Sequence, residues 1–367
     1  MSQVKHYFFV GTVAELIKVF PIMKEMSDQG LPFKIIASGQ NDITNSSLLG
    51  LARVKKVDIV LHQGPIKQSG LGLMTWFWKT WRRSYRTLKS ELTDPTAYML
   101  VHGDTVSTVM GAFIARHFKM KVAHVEAGLR SYNYLNPFPE EIDRVIVSRL
   151  TTVSLCPNDW SLNNLKKLRS EKVNTQQNTL VDALDIALKQ PAESELIEPI
   201  LKKDYFIFVM HRQENLFNDA LVRQMLDLLE EMVKTKKCVM IMHELTRVTL
   251  EKKGLLERVT SNPNIKVLPR QTYIDFMKLL NGSRFIITDG GSNQEESFYF
   301  GKPCLIMRHK TERIEGIGQN VIISKNDIGV IREFVKNYQA YERPPIKPQV
   351  RPSQIIVDYF TNQHIDG

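Results

Sequence analysis

The sequence predicts an α/β fold made of two doubly wound, parallel-sheet domains. In both halves of the chain, short apolar runs of strand length alternate with segments of helical periodicity, a rhythm typical of βαβ units. The chain has 367 residues, whereas a single hydrophobic core usually stops growing at roughly 250–300 residues. Two domains are therefore expected, and the two halves share this architecture without a recognisable sequence repeat.

The individual elements follow from the apolar runs and their spacing. In the first half, the predicted strands are residues 6–10, 33–37, 57–61, 98–101, 121–125 and 151–155. In the second half, they are residues 205–210, 238–242, 265–268, 285–288 and 303–307. The predicted helices are residues 14–26, 73–92, 105–118, 221–233, 274–280, 327–337 and 353–361. A helix that joins two such strands should make them parallel, with a right-handed connection.

Composition and charge narrow the class of partner. Hydrophobic residues make up 43% of the chain and charged residues 24%, which is ordinary for a globular protein. The formal net charge of +10 is compatible with nucleic acid, an anionic membrane surface or phosphate-bearing substrates. The sequence contains no RNA-binding aromatic motif and no zinc-finger spacing, so we expect no nucleic-acid partner.

The cysteines and the hydropathy pattern predict a cytoplasmic protein. Cys156, Cys238 and Cys304 are far apart, and each lies in or beside an apolar run, as buried thiols of a reducing compartment do. The first residues contain no signal-peptide core, and no apolar run has the length of a transmembrane helix.

The predicted helix 73–92 has an unusual composition, because Trp76, Trp78 and Trp81 lie among Lys79 and several arginines. A basic, tryptophan-rich helix can lie on an anionic membrane surface. The more common alternative is a helix that packs on the sheet or forms a subunit contact. Both interpretations stay open, and the structural role is the more common one for such a helix.

Acidic residues follow two predicted neighbouring strands in the stretch 98–144. Asp104 comes after the first strand and Glu126 after the second, while Glu140 and Glu141 follow in the sequence PFPEE. In open α/β sheets, ligands bind just outside the carboxyl ends of the strands. Carboxylates at that edge therefore predict acid/base chemistry.

A metal site is the competing interpretation of the same strand ends. His102 and Asp104 are two residues apart, as are His124 and Glu126, so that both members of each pair point the same way from an extended strand. Two histidines and two carboxylates could surround a metal ion. The acid/base interpretation requires no metal, and we expect none.

Residues 288–297, TDGGSNQEES, form the second informative stretch. A strand ends there, two glycines allow a tight turn, and a helix is predicted to start near Ser292. A helix N-terminus offers unpaired N–H groups and positive potential, which can bind a diphosphate. Glu295 and Glu296 lie in the first turn, where they could bind ribose hydroxyls or serve only as favourable helix-end charges.

Two further turns also follow predicted strands. His211 and Arg212 come after the first strand of the second half, and both side chains can bind anions, although a simple structural loop is the alternative. Gly11-Thr12 opens the first helix without the Gly-x-Gly-x-x-Gly fingerprint. We therefore expect no nicotinamide cofactor.

Taken together, these stretches resemble the non-hydrolysing UDP-N-acetylglucosamine 2-epimerases. The matches extend over almost the whole chain. They are Gly11-Thr12, Ile17-Lys18, Pro21, 38–40 (SGQ), 101–105 (VHGDT), 124–130 (HVEAGLR), 137–141 (PFPEE) with Arg144, 178–179 (NT) with 182–184 (DAL), 211–212 (HR) with 214–215 (EN), 288–289 (TD) with 294–296 (QEE), 301–303 (GKP) and 311–313 (TER).

The resemblance implies a fold and an activity. The fold would be two Rossmann-like domains that face a cleft, as in GT-B glycosyltransferases, with a UDP-sugar substrate and no cofactor. The activity would be the interconversion of UDP-GlcNAc and UDP-ManNAc, or of a related UDP-HexNAc, by elimination and re-addition of UDP through a glycal. The catalytic residues implied are Asp104, Glu126, Glu140 and His211.

The resemblance also implies a substrate-binding set and a division into domains. The substrate-binding residues would be Lys18, Arg144, Arg212, Gly291, Ser292, Glu296 and Arg313, with Glu296 on the ribose. Residues 1–175 would form the N-terminal domain with the acid/base carboxylates, and residues 176–350 the UDP-binding domain. A C-terminal helix in residues 351–367 would pack back on the N-terminal domain, and the protein would be a homodimer.

Some positions depart from the family pattern. Val13 stands where the family has a phosphate-contacting arginine, Asn41 departs from the usual Gln-His, and Gln213 replaces a second arginine. These departures predict a divergent subgroup. They keep open a GT-B-like glycosyltransferase or a UDP-sugar hydrolase of surface polysaccharide synthesis, and also a non-catalytic sugar-nucleotide sensor, because a fold alone does not fix a function.

Overall fold

The computed structural model describes residues 5–64, 66, 70–134, 138–311 and 313–362. It divides into two compact α/β units. Unit 1 comprises Met1–Ala183 together with Pro348–Gly367, and unit 2 comprises Leu184–Lys347.

Unit 1 contains a fully parallel sheet of seven strands in the order β3-β2-β1-β4-β5-β6-β7. All five residues of β1 and of β4 are buried, because helices cover both faces of such a sheet. The strands are β1 (His6–Val10), β2 (Phe33–Ala37), β3 (Ile59–Val60), β4 (Tyr98–His102), β5 (Lys121–Val125), β6 (Val153–Cys156) and β7 (Glu171–Asn174).

Unit 2 contains a parallel sheet of six strands in the order β10-β9-β8-β11-β12-β13. Its core includes the stacked rings of Phe206 and Phe285, whose centroids are 5.0 Å apart. The strands are β8 (Tyr205–Val209), β9 (Lys237–Met242), β10 (Ile265–Pro269), β11 (Ile286–Thr288), β12 (Cys304–Ile306) and β13 (Val321–Ile323).

The helices alternate with the strands along the chain. They are α1 (Val13–Asp28), α2 (Ser47–Leu51), α3 (Gly70–Leu88), α4 (Val106–His117), α5 (Glu140–Leu150), α6 (Asp159–Asn164), α7 (Leu180–Leu188), α8 (Glu198–Leu201), α9 (Gln213–Leu216), α10 (Asp219–Met232), α11 (Glu244–Lys252), α12 (Glu257–Thr260), α13 (Tyr273–Gly282), α14 (Gly291–Phe300), α15 (Ile328–Asn337), a 3-10 turn (Tyr338–Tyr341) and α16 (Pro352–Asn362).

Helix α16 packs within unit 1 although it comes from the end of the chain. The backbone N–H of Ser353 donates to Asp182 at 2.8 Å, and Arg351 lies 2.7 Å from Glu25 of α1. Phe360 contacts the rings of His6 and Tyr98, with centroids 5.0 and 5.1 Å away. Contacts within unit 1 thus fix both the start and the last turn of α16.

Two predicted elements need correction. The predicted strand 57–61 is only a two-residue pair, and the predicted helix 73–92 ends at Leu88, because the N–H groups of Glu91 and Leu92 turn back onto the Leu88 carbonyl ahead of Pro95. The edge strand β7 was not predicted, since it carries charged and polar residues around one valine. In the described residues, no helix is long and apolar enough to cross a bilayer.

Candidate active site and anion-binding turn

In unit 1, adjacent strands bring the predicted acids to one edge of the sheet. Strands β4 and β5 are parallel neighbours in which His102 lies opposite Val125. Asp104 follows β4 by two residues and Glu126 follows β5 directly, so both emerge at the carboxyl ends of the strands. This is the edge at which open α/β sheets bind ligands.

Glu126 is fixed by an unusual backbone conformation and by three side chains. Its φ of 62° lies in the left-handed region, which non-glycine residues rarely adopt outside turns and functional sites. Lys18 and Asn178 both donate to its Oε2 atom, and His102 Nε2 lies 3.4 Å from the same oxygen. The predicted substrate-binding Lys18 thus lies on a predicted catalytic carboxylate.

Arg144 connects two other acids of unit 1. Its Nη2 atom lies 2.5 Å from Asp104 Oδ2, and its Nη1 atom lies 3.3 Å from Glu141 Oε2. Glu141 is fully buried and also accepts hydrogen bonds from Arg130 and the Ser131 backbone. Burial by itself would raise the pKa of Glu141, but these donors hold it below its usual value. Glu141 therefore anchors the loop as an ionised group.

Glu140 and Asp143 differ from these anchored acids. Glu140 begins α5, and Asp143 lies three residues later, on the same helix face. Among the described residues, no hydrogen-bond partner reaches the buried Glu140 Oε2 or Asp143 Oδ2. Burial, followed by the negative charges of Asp104 and Glu140, raises the pKa of Asp143 to about 7, against the opposing charge of Arg144.

The histidines of this edge do not form the cluster that the metal interpretation requires. His124 Nε2 lies 2.7 Å from the Gly103 carbonyl, and burial lowers the pKa of His124 to about 4, so it is neutral at physiological pH. Within the part of the chain that the structure describes, no group of three or more histidine, cysteine or acidic side chains is arranged to hold a metal ion.

The turn that carries Asp104 is tied to the start of α1. Thr12 caps α1, and the Glu15 carboxylate accepts a hydrogen bond from the backbone N–H of Gly11 at 2.6 Å. The other oxygen of Glu15 accepts a hydrogen bond from Thr105, and burial raises the pKa of the Glu15 carboxyl. Val13, where an arginine was expected, is the first residue of this helix.

In unit 2, Asp289 organises the predicted anion-binding turn. It is fully buried at the end of β11 and accepts the backbone N–H groups of His211 and Arg212 at 3.0 and 2.9 Å. His211 Nδ1 is 2.9 Å from its Oδ1, and Asn215 donates at 3.1 Å. Burial would raise the pKa of Asp289, but these partners hold it low. The loop after β8 is therefore fixed to the end of β11.

The glycine turn leads directly into a helix, as predicted. Helix α14 begins at Gly291 after the N-cap Gly290, and Ser292 is exposed in its first turn. A Cβ atom on Gly290 would lie 2.6 Å from Asn293 Oδ1 and 3.3 Å from His211 Cε1. The turn thus needs glycine for close packing, and it presents the N–H groups of a helix end.

Glu295 and Glu296 are buried, and the prediction that they lie in the first turn of the helix is wrong, because α14 already begins at Gly291 and its first turn has no acidic residue. Arg313 Nη1 lies 2.5 Å from Glu295, and Glu296 accepts a hydrogen bond from Asn293 at 3.0 Å. The predicted substrate-binding Arg313 thus contacts an acid of this unit.

His243 is a residue of this site that the sequence interpretation missed. It follows β9, and its ring stacks on that of His211 with centroids 4.6 Å apart. Burial and the neighbouring His211 lower the pKa of His243 to about 4. The sequence signal that could have identified His243 is its position directly after a predicted strand, as for His211.

The chain is similar to known proteins along most of its length. A profile of the UDP-N-acetylglucosamine 2-epimerase family matches residues 24–348. A Methanocaldococcus jannaschii relative named UDP-N-acetylglucosamine 2-epimerase is 28% identical over 334 residues, which cover 88% of this chain and 89% of the relative. A Pseudomonas aeruginosa relative named UDP-2,3-diacetamido-2,3-dideoxy-D-glucuronate 2-epimerase is 33% identical over 232 residues, or 61% of this chain and 63% of the relative.

Solved structures give the same result. The crystal structure of the M. jannaschii UDP-GlcNAc 2-epimerase in complex with UDP-GlcNAc and UDP has a TM-score of 0.79 to this chain at 26% identity, and it covers 98% of this chain and 100% of that one. Fold and sequence together define a GT-B-like nucleotide-sugar 2-epimerase. The chain belongs to the UDP-N-acetylglucosamine 2-epimerase family, which confirms the predicted family and fold class.

The elevated pKa of Asp143 predicts a pH-dependent stability. A carboxyl whose folded-state pKa of about 7 exceeds its unfolded value stabilises the fold below about pH 4 and loses that contribution as the pH rises through 7. Replacing Asp143 by Asn removes the loss. The variant should therefore gain roughly 1–4 kcal/mol over the wild type between about pH 5 and pH 8.

Urea unfolding of the wild type and of Asp143→Asn, each at about pH 5 and at about pH 8, measures this change in the free energy of unfolding. Asp204→Asn is the matched control, because Asp204 makes only an exposed ion pair with Arg284 and should show little dependence on pH. An equal effect of Asp143→Asn at both pH values would contradict the elevated pKa.

Proposed function

We propose that the protein interconverts UDP-GlcNAc and UDP-ManNAc, or the two C2 epimers of a related UDP-HexNAc. The observation that supports this most is that Asp104 and Glu126 follow the paired strands β4 and β5, while Glu140 begins the helix whose Arg144 pairs with Asp104. The names of the relatives support it further, and one of those names specifies a different diacetamido sugar. The exact sugar is therefore part of the proposal.

The chemistry requires several proton-transfer groups. The C2 proton of the substrate is not acidic, so UDP must leave C1 as the proton leaves C2, which gives a glycal. UDP then adds back to C1 while a proton reaches C2 on the opposite face. Each face needs a group within hydrogen-bond reach. Glu126, whose Oε2 atom accepts hydrogen bonds from Lys18 and Asn178, is the group that we propose accepts a proton.

We propose that unit 2 binds the UDP part of the substrate. The N-terminus of α14 at Gly291 and Ser292 is suited to the diphosphate, with His211 and Arg212 beside the same turn. Glu296 is the proposed ribose contact, and Arg313 is paired with Glu295 of the same helix. The family arginine that Val13 replaces is then not needed.

The second candidate function is a UDP-sugar hydrolase or transferase. The altered first turn at Val13 favours it, because a changed phosphate contact could change what attacks C1. The carboxylate group is common to both proposals, so the product decides between them.

The carboxylates should be essential for turnover. Asp104→Asn, Glu126→Gln and Glu140→Gln should each lower kcat by roughly two orders of magnitude or more, the scale of acid/base catalysis, without loss of the folded state. A coupled assay for the product measures kcat, and circular dichroism measures the folded state, with Asp204→Asn as the control. Near-normal turnover in all three variants would end the acid/base assignment.

Unit 2 should dominate the affinity for UDP. Glu296→Ala and Arg313→Ala should each weaken UDP binding by about 1–3 kcal/mol, as expected for a lost hydrogen bond to a charged group. Val13→Arg should leave the affinity unchanged or raise it modestly. Calorimetric titration measures this, with the exposed Arg332→Ala as control. If UDP binds only after Val13→Arg, the natural ligand is not a UDP-sugar.

We propose that one face of α3 contacts an anionic membrane surface. Met74 and Trp78 are 60% and 59% exposed. Arg82 and Arg86, which are also exposed, follow at the same four-residue spacing, so all four side chains lie in one row along the helix. The helix contains no acidic residue, and Trp76 is buried on its other face. A homodimer, which we also propose, should use another surface, because this row would face its own positive charges across a two-fold axis.

Vesicle sedimentation and light scattering test both parts of this proposal. The wild type should bind vesicles that contain anionic lipid more strongly than neutral ones, and Trp78→Ala should reduce that binding several-fold. Leu196→Ala, a change at an equally exposed residue, should not. Trp78→Ala should leave the dimer intact, and a monomeric Trp78→Ala would instead make this row the subunit contact.

We also propose a cytoplasmic location. The three buried free cysteines support a reducing, cytoplasmic compartment.

A further inference from the structure

The first turn of α5 brings four acidic groups close to two guanidinium groups. Glu140, Glu141 and Asp143 come from the helix, and Asp104 comes from the turn after β4. Arg144 lies 2.5 Å from Asp104 and 3.3 Å from Glu141, and Arg130 lies 2.6 Å from Glu141. These two positive charges are bound to Asp104 and Glu141, and neighbouring carboxylates of like charge disfavour one another's ionisation.

Hydrogen bonds show which of these acids can carry a proton. Asp104 is paired with Arg144, and Glu141 accepts hydrogen bonds from Arg130 and from backbone N–H groups, which lower the pKa of Glu141. Glu140 and Asp143 each have a buried oxygen that no donor reaches within the described part of the chain. A buried carboxylate without a donor costs more free energy than the same group in its protonated, neutral form.

Position makes these two acids a pair. They are three residues apart on one face of α5, the spacing at which helix side chains are neighbours. The negative charge of Glu140 acts on Asp143, together with that of Asp104, while Arg144 opposes them. Asp143 is only 8% exposed, so water screens these charges little. Replacing Asp143 by asparagine would therefore remove one member of this pair while keeping a side chain of similar size.

We propose that Asp143 and Glu140 share one proton, and that Asp143 thereby keeps a proton available to Glu140 during turnover. This inference rests on the proposed epimerase function of the same site. Asp143 acts through Glu140, so it is a positioning residue for the proton. The raised pKa of Asp143 agrees with a pair that titrates as a unit.

The proton balance is simple. When Glu140 gives a proton to C2 of the glycal, the electrons of the C1–C2 double bond form the new C–H bond and a phosphate oxygen of UDP bonds to C1. The pair becomes doubly negative, and the repulsion favours recovery of a proton from solvent. When the reaction runs in the other direction, the C2 proton passes to Glu140 and the electron pair of the C–H bond forms the glycal double bond as UDP leaves. Asp143 is thus expected to set the pH range of turnover more than the affinity for the sugar nucleotide.

The pH dependence of kcat and of KM separates this role from a structural one. In the wild type, activity should fall at alkaline pH as the shared proton is lost. In Asp143→Asn, this alkaline limb should move to lower pH by about one unit, because Glu140 no longer feels a neighbouring carboxylate. KM should change less than about two-fold, and Asp143→Glu should restore the wild-type limb. Asp204→Asn is the control. A profile for Asp143→Asn that differs from the wild type only in scale would overturn the proposal.

Carbon-13 NMR of aspartate carboxyl groups tests the pairing without any catalysis. The resonance absent from Asp143→Asn identifies the residue, and its wild-type titration midpoint should lie near neutrality. In Glu140→Gln, the midpoint should fall by about one unit or more. A midpoint below about 5, or one that Glu140→Gln does not move, would overturn the shared proton. If no UDP-sugar is epimerised, the proposed function fails, and this titration still decides the pairing separately.

Discussion

The parallel pairing of β4 with β5 is the constraint on which the unit 1 site depends. Because the two strands run in register, the residues that follow them emerge at the same edge, and Asp104 and Glu126 become neighbours of α5. Glu126 takes the left-handed backbone conformation immediately after its strand. The hydrogen bonds of the sheet therefore determine where the carboxylates lie, and the side chains around them determine how each one ionises.

Four acids of the two sites have two different kinds of surroundings. Glu141 and Asp289 accept several N–H groups and are held as anions, so they fix the loops on which functional side chains lie. Glu140 and Asp143 each have a buried oxygen without a donor in the described residues, and burial together with the charges of Asp104 and Glu140 raises the pKa of Asp143. Acidic side chains thus anchor loops in one place, and in the other they form the pair to which we assign a shared proton.

Much of the fold could be predicted from the sequence, because parallel-sheet strands form continuous apolar runs and the acids follow them directly. The predicted start of α14 near Ser292 is one residue from the observed start at Gly291. Asp143 could not be singled out in this way, since its importance depends on burial and on Asp104, which is 39 residues earlier in the chain. The edge strand β7 lacked the apolar pattern of the others, and the stacking of His243 on His211 depends on strand order.

Proton NMR of the purified protein with UDP-GlcNAc in deuterium oxide tests the central claim most directly. If the carboxylates remove and return the C2 proton, UDP-ManNAc should appear with deuterium at C2 while UDP remains attached to the sugar. Release of free sugar and UDP would identify a hydrolase. Recovery of unchanged UDP-GlcNAc, with no deuterium at C2 and no glycal, would contradict the account of this site for that substrate.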